Sequence, residues 1–102
     1  MDLNKRVVIT GIGIIASNGK GKDEFWRSLQ EGCVGYGPVS IVDTKELKIN
    51  IAGGVRDFDP TVYMGIKGLR SLDRATKLLV SASKLAVADT GFTITDENTD
   101  DV

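Results

Sequence analysis

A chain of 102 residues has the size of one small domain, and 41% hydrophobic with 26% charged residues is an ordinary globular mixture, which excludes disorder along the whole length. A net charge of −1 supplies no global basic field for nucleic acid. The absence of histidine excludes histidine base catalysis and histidine metal ligation within the chain, and Cys33, the lone cysteine, excludes an intrachain disulfide and makes the cytoplasm the expected compartment.

Met1-Asp2-Leu3-Asn4 lacks the pattern of a signal peptide. Residues 6–10, Arg-Val-Val-Ile-Thr, predict a strand, because β-branched residues dominate. Val7, Val8 and Ile9 do not alternate with polar residues, so the strand is expected to be covered on both faces, as in an α/β sheet. The apolar run 7–16 is broken by Thr10, Gly11 and Gly13 and is too short for a membrane span. Asn18-Gly19-Lys20-Gly21 reads as a turn.

Residues 23–31 predict a short helix with Asp23 and Glu24 in its first turn, where the helix dipole favours acids. Phe25, Trp26 and Leu29 are expected to form its core-facing side, and Gly32 its stop. Residues 33–48 read as irregular. Residues 49–56 read as a short edge strand, with Gly53 and Gly54 marking a bulge or a close backbone approach. The clearest helix spans residues 72–90, with Ser71 as its expected N-cap and Gly91 as its stop. Ala75, Leu78, Leu79, Ala82, Leu85 and Ala86 follow the helical period, and the alanines and serines allow a close helix contact. Residues 93–102 read as an acidic loop.

Charge is unevenly distributed. Residues 1–64 carry eight positive and eight negative side chains. Residues 65–90 carry five cations (Lys67, Arg70, Arg74, Lys77, Lys84) against Asp73 and Asp89, a net of +3, and residues 91–102 carry a net of −4. A local basic patch on a neutral chain suits a discrete acidic partner better than a polyanion. Lys67, Arg70 and Arg74 cluster around the expected start of the long helix, where the dipole disfavours cations. The alternative is a solvated surface cluster paired with Asp73.

Three further motifs carry little chemistry. Gly11-Ile12-Gly13-Ile14-Ile15-Ala16 fits a dinucleotide-binding pattern, but that site needs a helix starting at the glycines, and the next helix starts near Asp23. Neither Gly19-Lys20 nor Gly21-Lys22 has the spacing or the following hydroxyl residue of a phosphate-binding loop. Cys33 has no base nearby, and Glu31 has the wrong sign to hold a thiolate.

Read together, the segments resemble the β-ketoacyl-acyl-carrier-protein synthases, condensing enzymes of the thiolase-like superfamily. Lys5-Arg6-Val7-Val8-Ile9-Thr10-Gly11-Ile12-Gly13 resembles their opening strand. Gly21-Lys22-Asp23-Glu24-Phe25-Trp26, with Leu29 and Gly32, resembles their first helix. Ile51-Ala52-Gly53-Gly54-Val55-Arg56-Asp57-Phe58-Asp59-Pro60 resembles the next strand and its exit. Leu72-Asp73-Arg74-Ala75-Thr76-Lys77 through Asp89-Thr90-Gly91-Phe92 resembles the long helix, and Ile94-Thr95-Asp96-Glu97-Asn98 the linker after it. Ala16-Ser17 replaces the Ser-Pro common in the family, which is expected to loosen the turn after the first strand.

The resemblance implies an α/β fold in which residues 1–102 are the N-terminal portion of a synthase N-terminal domain: first strand, short helix, edge strand, long helix. It implies a layered thiolase-like architecture, incomplete in this chain alone. The implied reaction is a decarboxylating Claisen condensation of an acyl thioester with a malonyl-carrier thioester, in fatty acid or polyketide synthesis. The family's nucleophilic cysteine and its histidines belong to later segments, so no catalytic residue, cofactor site or metal site is expected here, and Cys33 inherits no role. The implied partners are an acyl carrier protein and a second copy of the parent enzyme. Neither nucleic acid nor membrane is an expected partner, and the chain alone is expected to be inactive and to self-associate. Lys67 and Arg70 fall where family members dock the acidic carrier, with Ser71 replacing an often basic residue. Two alternatives remain: a non-catalytic partner subunit resembling a chain-length factor, and a small nucleotide-binding module.

Overall fold

The computed structural model describes residues 4–101; Met1–Leu3, part of the start read against a signal peptide, and Val102 lie outside it. The described chain runs through a hairpin of β1 (Ile15–Ala16) and β2 (Gly19–Lys20), then helix α1 (Lys22–Glu31). A second antiparallel pair follows, β3 (Gly37–Pro38) with β4 (Ile51–Ala52), then α2 (Thr61–Met64), a 3₁₀ turn at Leu69–Ser71, α3 (Arg74–Thr90) and a last 3₁₀ turn at Thr99–Asp101. Among the described residues no helix is long and apolar enough to cross a membrane.

Both long helices end as the sequence indicates. Gly32 and Gly91 adopt left-handed conformations (φ 68° and 66°), returning the cap N–H groups to carbonyls of the last turn. The start of α3 differs from expectation. Its N-cap is Asp73, whose carboxylate accepts the Thr76 N–H at 2.7 Å, whereas Ser71 belongs to the preceding 3₁₀ turn and donates to the Gly68 carbonyl at 2.8 Å. A carboxylate acceptor beside the positive end of the helix is the stronger cap.

The strands depart further from expectation. Residues 6–10 enter no ladder among the described residues, because a strand exists only with a hydrogen-bonded neighbour and none is within reach. Val7 and Ile9 are 96% and 87% exposed. Gly19 and Lys20, read as part of a turn, form β2 instead. The turn is Ser17-Asn18, closed by the Ala16↔Gly19 register and by Gly21 N–H donating to the Ile14 carbonyl at 2.8 Å. The edge strand 49–56 shortens to Ile51–Ala52, and its partner, Gly37–Pro38, lies inside the segment read as irregular. Residues 93–101 are tied by side chains: Asn98 accepts the Thr95 N–H at 2.7 Å and donates to the Thr93 carbonyl at 3.0 Å.

Close backbone contacts, more than buried side chains, hold the elements together. Residues 11–13 cross α3 at Ala82, Ala86 and Thr90. A Cβ on Gly13 would overlap the Ala82 carbonyl oxygen and lie 2.5 Å from the Ala86 nitrogen, and one on Gly11 would lie 2.7 Å from the Ala86 carbonyl oxygen. The small residues of α3 thus admit a stretch of extended chain, not a second helix. Ser81 is the one fully buried side chain among the described residues, and its hydroxyl has no hydrogen-bond partner. Asp89 fixes the crossing by accepting the Ile12 N–H at 3.0 Å with one carboxylate oxygen and the Lys22 ammonium with the other. Lys20 ties the hairpin to the β4 exit, donating to the carbonyls of Arg56 and Asp57 at 3.2 Å each.

No hydrophobic side chain is buried among the described residues. Phe25 is half-buried, but Trp26 and Leu29, expected to face a core with it, are 61% and 51% exposed. The radius of gyration is 17.5 Å, against about 13 Å for a compact domain of this length. The described elements leave much of their apolar surface exposed.

Gly13→Val should destabilise the protein by about 1–3 kcal/mol in a denaturant titration, because the added side chain meets helix backbone that cannot yield. Gly54→Ala, where a Cβ meets nothing within 4 Å, should stay within about 0.5 kcal/mol of wild type. Sedimentation of the 102-residue chain by itself should show concentration-dependent association; a compact monomer would contradict the exposed apolar surface described above.

Candidate docking surface

The connection from α2 to α3 is a built loop. Asp59 accepts both the Thr61 N–H (2.9 Å) and its hydroxyl (2.6 Å), which starts α2. Gly65 and Gly68 then turn the chain at φ 72° and 82°, a region that side-chain-bearing residues rarely adopt. The 3₁₀ turn Leu69–Ser71 delivers the chain to Asp73. Phe58 stacks on Tyr63, with ring centroids 6.0 Å apart, so the loop closes on an aromatic pair at its base.

Lys67 and Arg70 stand on this loop, both exposed, with no ion-pair or hydrogen-bond partner among the described residues. They precede α3 instead of opening it. Arg74 separates from them. It is the first residue of α3, but its guanidinium donates to the Val55 carbonyl at 2.7 Å and lies over the Phe58 ring, 5.8 Å from the centroid. That cation is engaged within the fold, which explains its place against the helix dipole. Nor does Asp73 pair with Lys67 or Arg70; its carboxylate caps α3. The three-cation cluster of the sequence therefore resolves into two exposed charges on the α2–α3 connection, Lys67 between the glycines and Arg70 in the 3₁₀ turn, and one structural arginine.

The acids flanking the loop are held ionised. Hydrogen bonds from Thr61, its hydroxyl first and its N–H second, hold the Asp59 carboxyl below its ordinary value of 3.8. Hydrogen bonds from Thr76 do the same for Asp73. Both carboxylates contribute the stability of these bonds above the ordinary carboxylate range and lose it as pH falls through the lowered native values. An NMR titration should therefore find the Thr61 and Thr76 amide shifts moving with midpoints below 3.8.

The other motifs sit elsewhere and do not converge. Gly11 and Gly13 face the α3 backbone so closely that no pyrophosphate fits between them and the helix, and α1 begins only at Lys22. The Cys33 sulfur is exposed and lies 3.8 Å from a Glu31 carboxylate oxygen, its neighbour two residues away. No group of three or more histidine, cysteine, aspartate or glutamate side chains among the described residues could hold a metal ion. Asp89 and Lys22, which the sequence reading did not single out, are the most interconnected charged pair. The available signal was an acid in the last turn of one helix and a cation in the first turn of another, each at its disfavoured end.

Known proteins give the arrangement its context. Residues 4–102 match the family model "Beta-ketoacyl synthase, N-terminal domain". The chain is 35% identical over 98 residues to a 3-oxoacyl-[acyl-carrier-protein] synthase 2 of Synechocystis, covering 96% of this chain and 24% of that protein. It is 38% identical over 91 residues to the granaticin polyketide putative beta-ketoacyl synthase 1 of Streptomyces violaceoruber, covering 88% of this chain and 21% of that protein. The solved structure of the ishigamide ketosynthase/chain length factor superposes with a TM-score of 0.78 at 36% identity, covering 84% of this chain and 21% of its own. The chain thus spans about a quarter of the length of the curated relatives it matches. The fold is that of the N-terminal part of a thiolase-like α/β enzyme, and the chain belongs to the β-ketoacyl synthase N-terminal domain family.

Proposed function

We propose that the protein carrying this chain is a ketosynthase-type condensing enzyme, which joins an acyl thioester to the carbanion released when a malonyl-carrier thioester loses CO2. The observation that supports this most is the family match through residues 4–102 together with relatives named as 3-oxoacyl-carrier-protein and polyketide synthases. The reaction needs a reactive thiolate, an oxyanion hole and donors that stabilise an enolate. Residues 1–102 offer no histidine, and their one cysteine stands beside Glu31 with no base at hand. In this reading the segment is the N-terminal portion of the synthase domain, and its contribution is scaffold and docking. Fatty acid and polyketide synthesis are both represented among the relatives. A cytoplasmic homodimer is the form we propose for the parent, in keeping with the lone cysteine.

Lys67 and Arg70 are assigned to carrier docking. A carrier with an acidic face suits two exposed cations without internal partners, lifted on a loop whose base is pinned by Arg74 and the Phe58–Tyr63 stack. Reversing both charges (K67E with R70E) should weaken carrier binding on the order of tenfold at low salt and much less at high salt. Unchanged affinity at low salt, measured by surface plasmon resonance, would remove the assignment.

A second reading has its own support. The structural neighbour pairs a ketosynthase with a chain length factor, and a non-catalytic partner subunit would share this N-terminal fold. Condensing activity of the purified full protein, lost when the cysteine of its active-site turn is replaced by alanine, supports the enzyme; no such cysteine and no activity favour the partner subunit.

A further inference from the structure

The Lys22–Asp89 pair lies in a cleft of about 530 Å³ between α1 and α3, and it performs a task that the docking reading does not touch. Asp89 stands at the C-terminal end of α3, where its charge opposes the helix dipole, and Lys22 opens α1, where its charge does too. Neither location is favourable alone. Each becomes so through the other, and one carboxylate serves three parts of the chain: α3, which carries it, α1 through Lys22, and the backbone of Ile12.

The charged groups around it are few and asymmetric. From α1, Lys22 donates directly, and Asp23, Glu24 and Arg27 line the same cleft. From β2, Lys20 lines the cleft, but its ammonium is bound to the carbonyls of Arg56 and Asp57. The 11–13 segment contributes a backbone N–H and no charge, and α3 lines the cleft with Leu85, Ala88 and Asp89 alone. No other carboxylate is hydrogen-bonded to Ile12 or Lys22 among the described residues; Asp23 acts on Lys22 through its charge alone.

We propose that Asp89 is an acid-released latch: as a carboxylate it clamps residues 11–13 and the start of α1 onto α3, and its protonation frees both at once. A neutral carboxyl loses the ion pair to Lys22 and most of the strength of the bond from Ile12, since charge-assisted hydrogen bonds are about twice as strong as neutral ones. The glycine contacts with α3 offer van der Waals packing but no polar restraint in its place. In the native protein the Lys22 hydrogen bond, then the Ile12 N–H, hold the Asp89 carboxyl below its ordinary value of 3.8, so the latch is closed at neutral pH and opens as pH falls through the lowered value.

The experiment is an NMR titration of the protein from about pH 6 to about pH 2, following the Asp89 carboxyl carbon and the Ile12 amide together. The Val39 amide, bonded to the Asn50 carbonyl beside the β3–β4 pair and outside the latch, serves as the control. The Ile12 shift should follow the Asp89 transition, with Ile12 protection against exchange falling on the order of tenfold across it, while Val39 stays flat. In Lys22→Gln the same coupled transition should move upward toward 3.8. In Asp89→Asn the Ile12 titration should vanish. An Ile12 amide that ignores the Asp89 transition in wild type, or that titrates unchanged in Asp89→Asn, overturns the proposal; the wild-type measurement decides even if a variant folds poorly.

Discussion

An ammonium in the first turn of α1 meets a carboxylate at the end of α3, and the same carboxylate takes the N–H of Ile12. Around that junction the chain dispenses with side chains. Gly11 and Gly13 let extended backbone lie directly on helical backbone, an approach that a single methyl group would block. Directional bonds set the position and bare backbone sets the distance. The rest follows from these two restraints: the hairpin leads into α1 through the Gly21–Ile14 bond, and Lys20 reaches from it to the β4 exit.

The helices were legible in the sequence because their signals are local. Glycine after the last periodic residue predicts both C-termini, and the left-handed conformations of Gly32 and Gly91 are the physical content of that signal. The start of α3 was displaced by two residues because Ser71 and Asp73 are both competent caps, and only the chain's path decides between them. Strands were the weak point for a different reason. Residues 6–10 have the composition of a buried strand, yet composition states what a segment can pair with, and pairing requires the other partner. The short ladder of Gly37–Pro38 with Ile51–Ala52 uses three residues of poor strand propensity beside Ile51, so pattern alone does not mark it.

The two glycines of the G-x-G motif illustrate how one residue pattern serves different physics. Glycine is required wherever backbone must come close to something, and the sequence does not say to what. Here the neighbour is a helix backbone, and the small residues at Ala82 and Ala86 form the complementary half of the same contact. The docking loop shows the converse. Three cations in an eight-residue stretch look equivalent in sequence, but Arg74 lies within reach of the Val55 carbonyl and the Phe58 ring, while Lys67, between Gly65 and Gly68, and Arg70, on the 3₁₀ turn after them, are exposed.

The Ile12–Asp89 bond joins residues 77 positions apart, which has a consequence for the order of events during synthesis. The hairpin and α1 are built from contacts within the first third of the chain and can form as soon as it leaves the ribosome. Residues 11–13 cannot be seated then, because the helix that receives them is not yet made. At about 5–20 residues per second, on the order of 4–15 seconds separate the emergence of Ile12 from that of Asp89. Through that interval residues 11–13 have no helix to lie on, although the hairpin and α1 beside them can already form.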